Sequence, residues 1–417
     1  MSGPIAYGID FGTSNCSLSV AFDDGAEMGV VNNRGETVMP SIVYVDATGN
    51  RLAGIDAVEN YITFAADPSR ARLMSSLKSF LTDRTFQHTT CAWGDRFTMP
   101  DLVAIILRQL KQSNDRRLGA DVKRLVLGHP VLFAGASGPN FEQLQDYAYE
   151  QLSQAAHLAG FTEVAFLDEP TAALMGEELD SGVIMAVDFG GGTFDVSIIQ
   201  LSPEAGNVLA IHGAAIGGEL FDSLLFDDKV ASPLGLDKEY VINGKRLAVP
   251  IVLRHMRTLH EIISMVGDDR VSRAFEFVRH AGGAPLATVE EIIYGGHGYN
   301  FFRAIEAAKI ELSESENTTI AFRRPGVAVS VPVRRSEFES LVSRNLDKVD
   351  EQIDRALKDA DIDSADVDLV VRTGGSSRIP AFVERLAARF GESKLAERDA
   401  FSTVALGLGI RACELWG

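Results

Sequence analysis

Cysteine is nearly missing from this chain of 417 residues: Cys16, Cys91 and Cys413 are the only three. Their number is odd and no CxxC or Cys/His spacing accompanies them, so neither a disulfide framework nor a structural zinc site is expected. Basic charge is also short. Lys and Arg total 39 against 58 acidic side chains, a formal net charge of −19. A nucleic-acid binder needs a basic face to neutralise phosphates, which argues against nucleic acid as the main ligand. The acidity is read instead as keeping the protein in solution. No stretch approaches the roughly 18 uninterrupted apolar residues of a membrane-spanning helix, so no membrane partner is expected. The amino terminus, MSGPIAYGIDFG, lacks the basic region of a signal peptide. A reducing, cytoplasmic setting is the expectation. Absent too are the Walker pattern GxxxxGK followed by Ser or Thr and the Rossmann glycine fingerprint.

What is present is a repeat. Asp10-Phe11-Gly12 and Asp188-Phe189-Gly190 lie 178 residues apart, inside IAYGIDFGTSNCSLSVAF and VIMAVDFGGGTFDVSII. Each copy is an apolar run, then Asp, then a Gly/Thr/Ser-rich turn, then an alternating stretch. Ser19 and Ser197 fall at the same offset from the two aspartates. At this length two lobes are natural, and a duplicated unit gives each lobe a carboxylate and a backbone-rich turn.

Period-2 and β-branched runs predict strands at 5–10, 16–22, 124–128, 163–167, 183–188, 195–201 and 367–372. A helical pattern covers 140–158 with Gly160 as its stop. A capping box of Ser336 and Glu339 is expected to open a helix buried through Phe338, Leu341, Val342, Ile353 and Leu357. Pro380 opens a short helix with Phe382, Val383 and Leu386 inward. Hairpins mixed with helices point to an α/β fold built twice. Residues 39–100 and 223–300 are irregular and more polar, and read as one insertion per lobe walling a cleft. Within the second, Gly282-Gly283-Ala284-Pro285 and Gly295-Gly296-His297-Gly298 read as turns.

Gly190, Gly191, Gly192 and Thr193 form the strongest local signal. Three glycines let the backbone approach an anion closely, so that successive N–H groups face phosphate. A flexible turn would explain the glycines alone; Asp188 and the matching Asp10 turn shift the balance to phosphate. Two facing carboxylates repel unless a cation lies between them, and Mg²⁺ with retained waters suits Asp10 and Asp188. Thr13, Ser14 and Thr193 add hydroxyls. Asp195 either joins the metal shell or merely sits on the next strand. Glu169 opens a helix, where an acid is often only dipole placement, but its strand-end position suits a metal or water contact. Gly374, Gly375, Ser376 and Arg378 follow a clean strand, where paired glycines admit a flat ring or sugar. Glu306, Lys309 and Ser313 share a helix face, which alone reads as solvated.

Together IDFGTSN, DEPTAAL, VDFGGGTFDVS, GGELFD (Gly217 to Asp222) and TGGSSRIP resemble, in order and spacing, the nucleotide-binding domain of the heat-shock seventy-kilodalton, DnaK-like chaperones, within the actin-like ATPase superfamily. The likeness covers essentially the whole chain, and more narrowly points to the truncated, YegD-like members. It implies a duplicated actin-like (ribonuclease-H-like) α/β fold of two lobes, each with an inserted subdomain, closing on ATP or ADP with Mg²⁺. Lobe I would be 1–182 (core 1–38 and 101–182, insertion 39–100), completed by the helix 399–417. Lobe II would be 183–398 (core 183–222 and 318–398, insertion 223–317). The resemblance assigns Gly12, Thr13, Ser14 and Asn15 to the first phosphate loop and Gly190 to Thr193 to the second. It places Asp10, Asp188 and Asp195 near metal and water, Glu169 on the metal's water shell, and Lys78 against the γ-phosphate. Pro130 matches a proline relay. Gly217, Gly218, Glu306, Lys309, Ser313, Gly374, Gly375, Ser376 and Arg378 would line the nucleotide pocket, which overturns the solvated-face reading of the helix stripe.

Two departures qualify the likeness. Ile310 stands where many members place an arginine that stacks on adenine opposite the counterpart of Arg378, so weaker adenine affinity or relaxed base choice is expected. The sequence ends after the helical stretch from Thr403 to Leu415, so the expectation is a member without its own peptide-binding domain. The leading expectation is a slow Mg²⁺-dependent ATPase, a chaperone homologue or nucleotide-switched partner-binding protein whose partners are co-chaperones or clients. A sugar- or acetate-kinase-like phosphotransferase and a nucleotide-dependent scaffold or filament former are the alternatives.

Overall fold

The computed structural model describes residues 3–32, 34–64, 71–84, 90–92, 95–133, 140–175, 181–201, 206–242, 245–266, 268–280, 286–397 and 400–417. Two sheets carry the same connectivity. In the first the strands run Glu163–Asp168, Arg124–His129, Ala6–Phe11, Asn15–Phe22, Gly25–Met28, with Val38–Pro40 also pairing to Asn15–Phe22. In the second they run Leu395–Glu397, Leu369–Thr373, Gly182–Phe189, Phe194–Leu201, Gly206–Ala214. Each has an antiparallel three-stranded meander whose first strand is flanked by two parallel strands. The repeat read in the sequence is therefore a repeat of topology, and the fold is the expected α/β architecture built twice.

Burial explains the two cores. The central strands are apolar on both faces because helices cover both sides. Phe189, Phe194, Val196 and Ile198 anchor one core, closed by Phe338, Val342, Leu346, Val349 and Ile353 of the helix Arg335–Asp359. Tyr7, Ile9, Phe11 and Leu18 anchor the other, under the helices Met99–Leu118 and Phe141–Ala159. On the opposite face of that sheet, Val404, Leu408 and Ala412 of the helix Ala400–Trp416 meet Ala6, Ala21, Val126 and Ala172. A Cβ on Gly407 would lie 1.8 Å from the Ala172 carbonyl oxygen, so the C-terminal helix seats directly on the segment that carries Glu169.

The two irregular regions are ordered units where they are described. The strands Arg51–Ala53, Val43–Asp46 and Ala71–Met74 form a small sheet with the helix Gly54–Phe64. The second region is mostly helical, and in Asp269–His280 the buried residues Val271, Ala274, Phe275 and Val278 make one stripe. The two regions touch: Leu259, Ile263 and Tyr299 pack on the cluster of Ile42, Tyr44, Val58 and Leu73. Gly295 and Gly296 do form a turn between two helices; residues 282 and 283 and their neighbours lie outside the described residues.

One expected signal is corrected. The strand Val327–Arg334 stays paired through Arg334, so its helix begins at Arg335 and its third position is Glu337. The Arg334 N–H donates to Glu337 Oε2 at 3.0 Å, and the box expected of Ser336 and Glu339 does not form. Among the described residues no helix is long and apolar enough to cross a membrane.

Candidate functional site

The strand register explains why the two aspartates meet something in common. Asp10 ends Ala6–Phe11 opposite Ser17, and Asp188 ends Gly182–Phe189 opposite Asp195. Both lie on a cleft of about 620 Å³ whose walls come from both halves of the chain. The two glycine-bearing turns close it face to face. A Cβ on Gly191 would stand 2.4 Å from Ser14 Oγ, and one on Gly192 would stand 2.6 Å from Thr13 Oγ1. The first turn is held by Ser41, whose hydroxyl donates to the Gly12 carbonyl at 2.6 Å. The second is held by the N–H groups of Gly218 and Glu219, which donate to the Gly190 and Gly191 carbonyls at 3.1 and 2.8 Å, and by Ser376 Oγ on Gly190 O at 2.9 Å.

Of the residues singled out in the sequence, the cleft gathers Asp10, Gly12, Thr13, Ser14, Asn15, Lys78, Glu169, Asp188, Gly190, Gly191, Gly192, Thr193 and Gly218. Glu306, Lys309, Ser313, Gly374, Gly375, Ser376 and Arg378 line it as well. Gly217, Asp195 and Pro130 do not reach the wall. Gly217 lies behind the second turn, with a Cβ there only 2.4 Å from the Gly191 carbonyl oxygen. Asp195 is fully buried on its strand; its Oδ1 accepts from the Leu132 N–H at 3.4 Å, and Oδ2 has no partner among the described residues. Pro130 follows the strand Arg124–His129, and its carbonyl lies 2.8 Å from His129 Nδ1.

Lys78 comes from the first insertion. A 3-10 turn, Leu77–Phe80, entered through Ser76 in the left-handed region at φ 56°, carries it inward. Its ammonium is buried and sits 2.5 Å from Glu169 Oε1. Burial works against that charge, but Glu169, Asp10 and Asp188 outweigh it and hold the Lys78 pKa above the ordinary lysine value. The carboxyls respond oppositely. Burial, then Glu169, lifts Asp10 and Asp195 well above the carboxylate range, and the same two causes push Asp188 up to about 6. Thr373 Oγ1 donates to Asp188 Oδ1 at 3.0 Å.

Four carboxyls, Glu169 and Asp195 buried and Asp10 and Asp188 partly so, thus surround one buried ammonium, an excess of negative charge that a divalent cation would relieve. Among the described residues no three metal-binding side chains converge to ligate an ion directly. The residues therefore fit an ion held by Asp10 and Asp188 mainly through water, as Mg²⁺ prefers. The bare backbone of two facing turns with hydroxyls at Thr13, Ser14 and Thr193 fits phosphate.

Glu219 and Asp222, which sequence reasoning left out, also line the cleft. Both belong to the first turns of the helix Gly218–Leu225 within GGELFD, a motif from which only the glycines were chosen. Glu219 Oε1 accepts from Ser76 Oγ at 2.8 Å and Ser14 Oγ at 3.4 Å, linking the second half of the chain to the first. Asp222 Oδ2 holds Lys309 Nζ at 2.8 Å. Arg378 pairs with Glu397 at 2.9 Å, and Ile310 is 55% exposed at the cleft wall.

A pH prediction follows from Asp222, whose pKa rises to about 6 by burial against the pull of Lys309. A carboxyl with a raised folded pKa contributes stability that is complete below its unfolded value near 3.8 and lost as pH climbs through about 6. Acidifying the ligand-free protein across that window is expected to raise its thermal midpoint, and Asp222→Asn should make the rise shallower. Superimposable midpoint-versus-pH curves for the two proteins would count against this placement of Asp222.

The model of the Hsp70 protein family matches residues 6–237 and 300–417. A chaperone protein HscA homolog of Haemophilus influenzae (strain PittGG) is 26% identical over 435 aligned positions, which take in 99% of this chain. The chain spans 58% of that relative's length. Since the family match takes in well over half of its residues, the chain belongs to the Hsp70 family.

Proposed function

We propose that the chain binds ATP and ADP with Mg²⁺ and is a slow ATPase, working as a chaperone homologue or as a nucleotide-switched protein whose output is read by a partner. The observation that carries this is the convergence of two glycine turns, one buried ammonium and an excess of carboxyls on one cleft. Family membership supports it, since Hsp70 proteins as a class are ATPases. The division into lobe I (1–182 with 399–417) and lobe II (183–398), with insertions 39–100 and 223–317, belongs to the same proposal.

In this reading Gly12 to Asn15 and Gly190 to Thr193 present N–H and hydroxyl donors to the phosphates. Lys78 orients the attacking water, and Glu169 accepts from the ammonium and keeps it in place. Asp10 and Asp188 would hold Mg²⁺, and the ion when bound would supply charge neutralisation of the phosphate oxygens. Asp195 stays behind the wall, its Oδ1 accepting from the Leu132 N–H. Phosphoryl transfer asks little else of a protein than positioning and electrostatics. Gly374, Gly375 and Ser376 face the nucleoside, and a Cβ on Gly375 would meet nothing within 4 Å, which leaves its face open for a ring or sugar. Lys309 and Glu306 contribute from the helix Gly298–Glu314.

The base pocket provides the test. With Ile310 in place of a second cation, the base is stacked on Arg378 from one side only. ATP and GTP affinities are expected to lie close together, and Ile310→Arg is expected to tighten ATP about tenfold by adding a cation–π contact. Nucleotide titrations of the two proteins check this; a nanomolar, ATP-exclusive wild-type site would contradict it.

A further inference from the structure

A second cavity, of about 320 Å³, lies beside the nucleotide cleft, with walls from both insertions. One part of its lining is polar. Ser75 there is 7% exposed, and its Oγ has no hydrogen-bond partner among the described residues. Asp222 also lines the cavity, and the oxygen that does not hold Lys309, Oδ1, is buried and unpartnered too. Glu219 adds a carboxyl already fixed by Ser76. Apolar side chains contribute as well, with Ile55 on one insertion and Leu259, Tyr299 and Phe302 on the other. The two insertions pack together at Leu259 and Tyr299, so the cavity sits against a contact between them.

Buried polar atoms in folded proteins are almost always paired, so two orphans in one cavity mark a place where a ligand or ordered solvent belongs. The cavity's volume lies in the range of small-molecule sites, and so does its mix of apolar wall and a few polar atoms. The chemistry of those atoms selects the ligand. An ionised carboxylate only accepts, and a serine hydroxyl accepts as well as donates, so the polar part calls for N–H donors. Glu219, Asp222 and Glu306 line the cavity with two arginines, each beside an acid: Arg257 lies 3.4 Å from Asp227, and Arg303 lies 2.5 Å from Glu306. An anion would meet carboxylates; a cation would meet acceptors. Water alone would leave the apolar wall unfilled.

We propose that this cavity, which adjoins the nucleotide cleft, is a second ligand site for a small organic cation: an amidinium or primary ammonium on an aromatic or aliphatic body. The charged head pairs with Asp222 and Glu219, and Ser75 takes one of its donors. The body lies against Ile55, Leu259 and Phe302. The proposal does not require that the neighbouring cleft hydrolyse ATP. Thr13, Ser14, Asn15, Glu219, Asp222 and Glu306 line both cavities, so the two sites share one wall.

The test uses benzamidine as probe, with benzamide as its neutral counterpart and benzoate as an anion of the same shape, titrated calorimetrically into the nucleotide-free protein. Benzamidine is expected to bind one to one and about tenfold or more tighter than benzamide, as a charge-assisted hydrogen bond requires, and benzoate is expected not to bind. Ile55→Trp fills the cavity from a residue outside the nucleotide cleft, and it should abolish benzamidine binding while leaving ATP affinity and the thermal midpoint near wild type. Leu259→Phe is the milder variant should the tryptophan disturb folding, with the same outcome expected. Equal binding of benzamidine and benzamide, undiminished binding in both variants, or strict one-for-one displacement of benzamidine by ATP would overturn the assignment. Failure of ATP to bind at all would bear on the nucleotide cleft and leave the benzamidine result standing.

Discussion

Replacing Lys78 by Ala is expected to slow single-turnover ATP hydrolysis by about 10²–10³-fold, the usual cost of removing one preorganised electrostatic contact from a reacting centre, while ATP still binds. A second effect accompanies the first. Lys78 is the buried ammonium among Asp10, Glu169, Asp188 and Asp195, and removing one partner of a buried ion pair costs about 3–5 kcal/mol because the other is left uncompensated. Lys78→Ala should therefore melt earlier, and added Mg²⁺ or acidification should recover part of the loss. The double variant Lys78→Ala with Glu169→Gln separates the two roles. It relieves the orphaned carboxylate 2.5 Å from the missing ammonium, so stability returns, but hydrolysis stays slow. Wild-type single-turnover rates in a folded Lys78→Ala protein would remove Lys78 from the chemistry.

The second large effect belongs to a residue that never touches the cleft. A Cβ on Gly217 would lie 2.4 Å from the Gly191 carbonyl oxygen and 2.6 Å from the Gly192 nitrogen. Those are backbone atoms, which cannot swing away as a side-chain end would. Gly217→Val must push the second phosphate turn out of register with Thr13 and Ser14. Misplacing a binding group by about 1 Å costs on the order of 10²-fold, so ATP affinity is expected to fall by about that much. Gly375→Ala is the contrasting case: nothing lies within 4 Å of the added methyl, so the fold should be indifferent to it. A loss of ATP affinity there, with an unchanged melting curve, would locate the nucleoside on that glycine.

Much of this was legible because it is periodic. The apolar runs before Asp10 and Asp188 and the alternation after them required two hairpins, and hairpins with glycine turns put two carboxylates at strand ends. The helix over 140–158 and its Gly160 stop carried ordinary helix signals, and Gly160 does end that helix at φ 104°. Lys78 was a different matter. It sits in a four-residue 3-10 turn behind a left-handed serine, in a segment with no apolar period, and only likeness to a family picked it out. Glu219 and Asp222 were hidden for the opposite reason. Acids in the first turns of a helix are commonplace, since they suit the helix dipole, so nothing local distinguishes two that line a cleft. The expected box of Ser336 and Glu339 failed because strand pairing holds Arg334 extended, a tertiary constraint with no local trace. Glu397, the partner of Arg378, belongs to a three-residue edge strand too short to show a pattern.

The central claim is that the two turns form one nucleotide site, and calorimetric titration of ATP with and without Mg²⁺ tests it most directly. Run on wild type and Gly217→Val, it is expected to give one-to-one saturable binding of ATP that strengthens with Mg²⁺ in the wild type and collapses in the variant. No saturable binding at millimolar ATP, or binding indifferent to Gly217→Val, would contradict it.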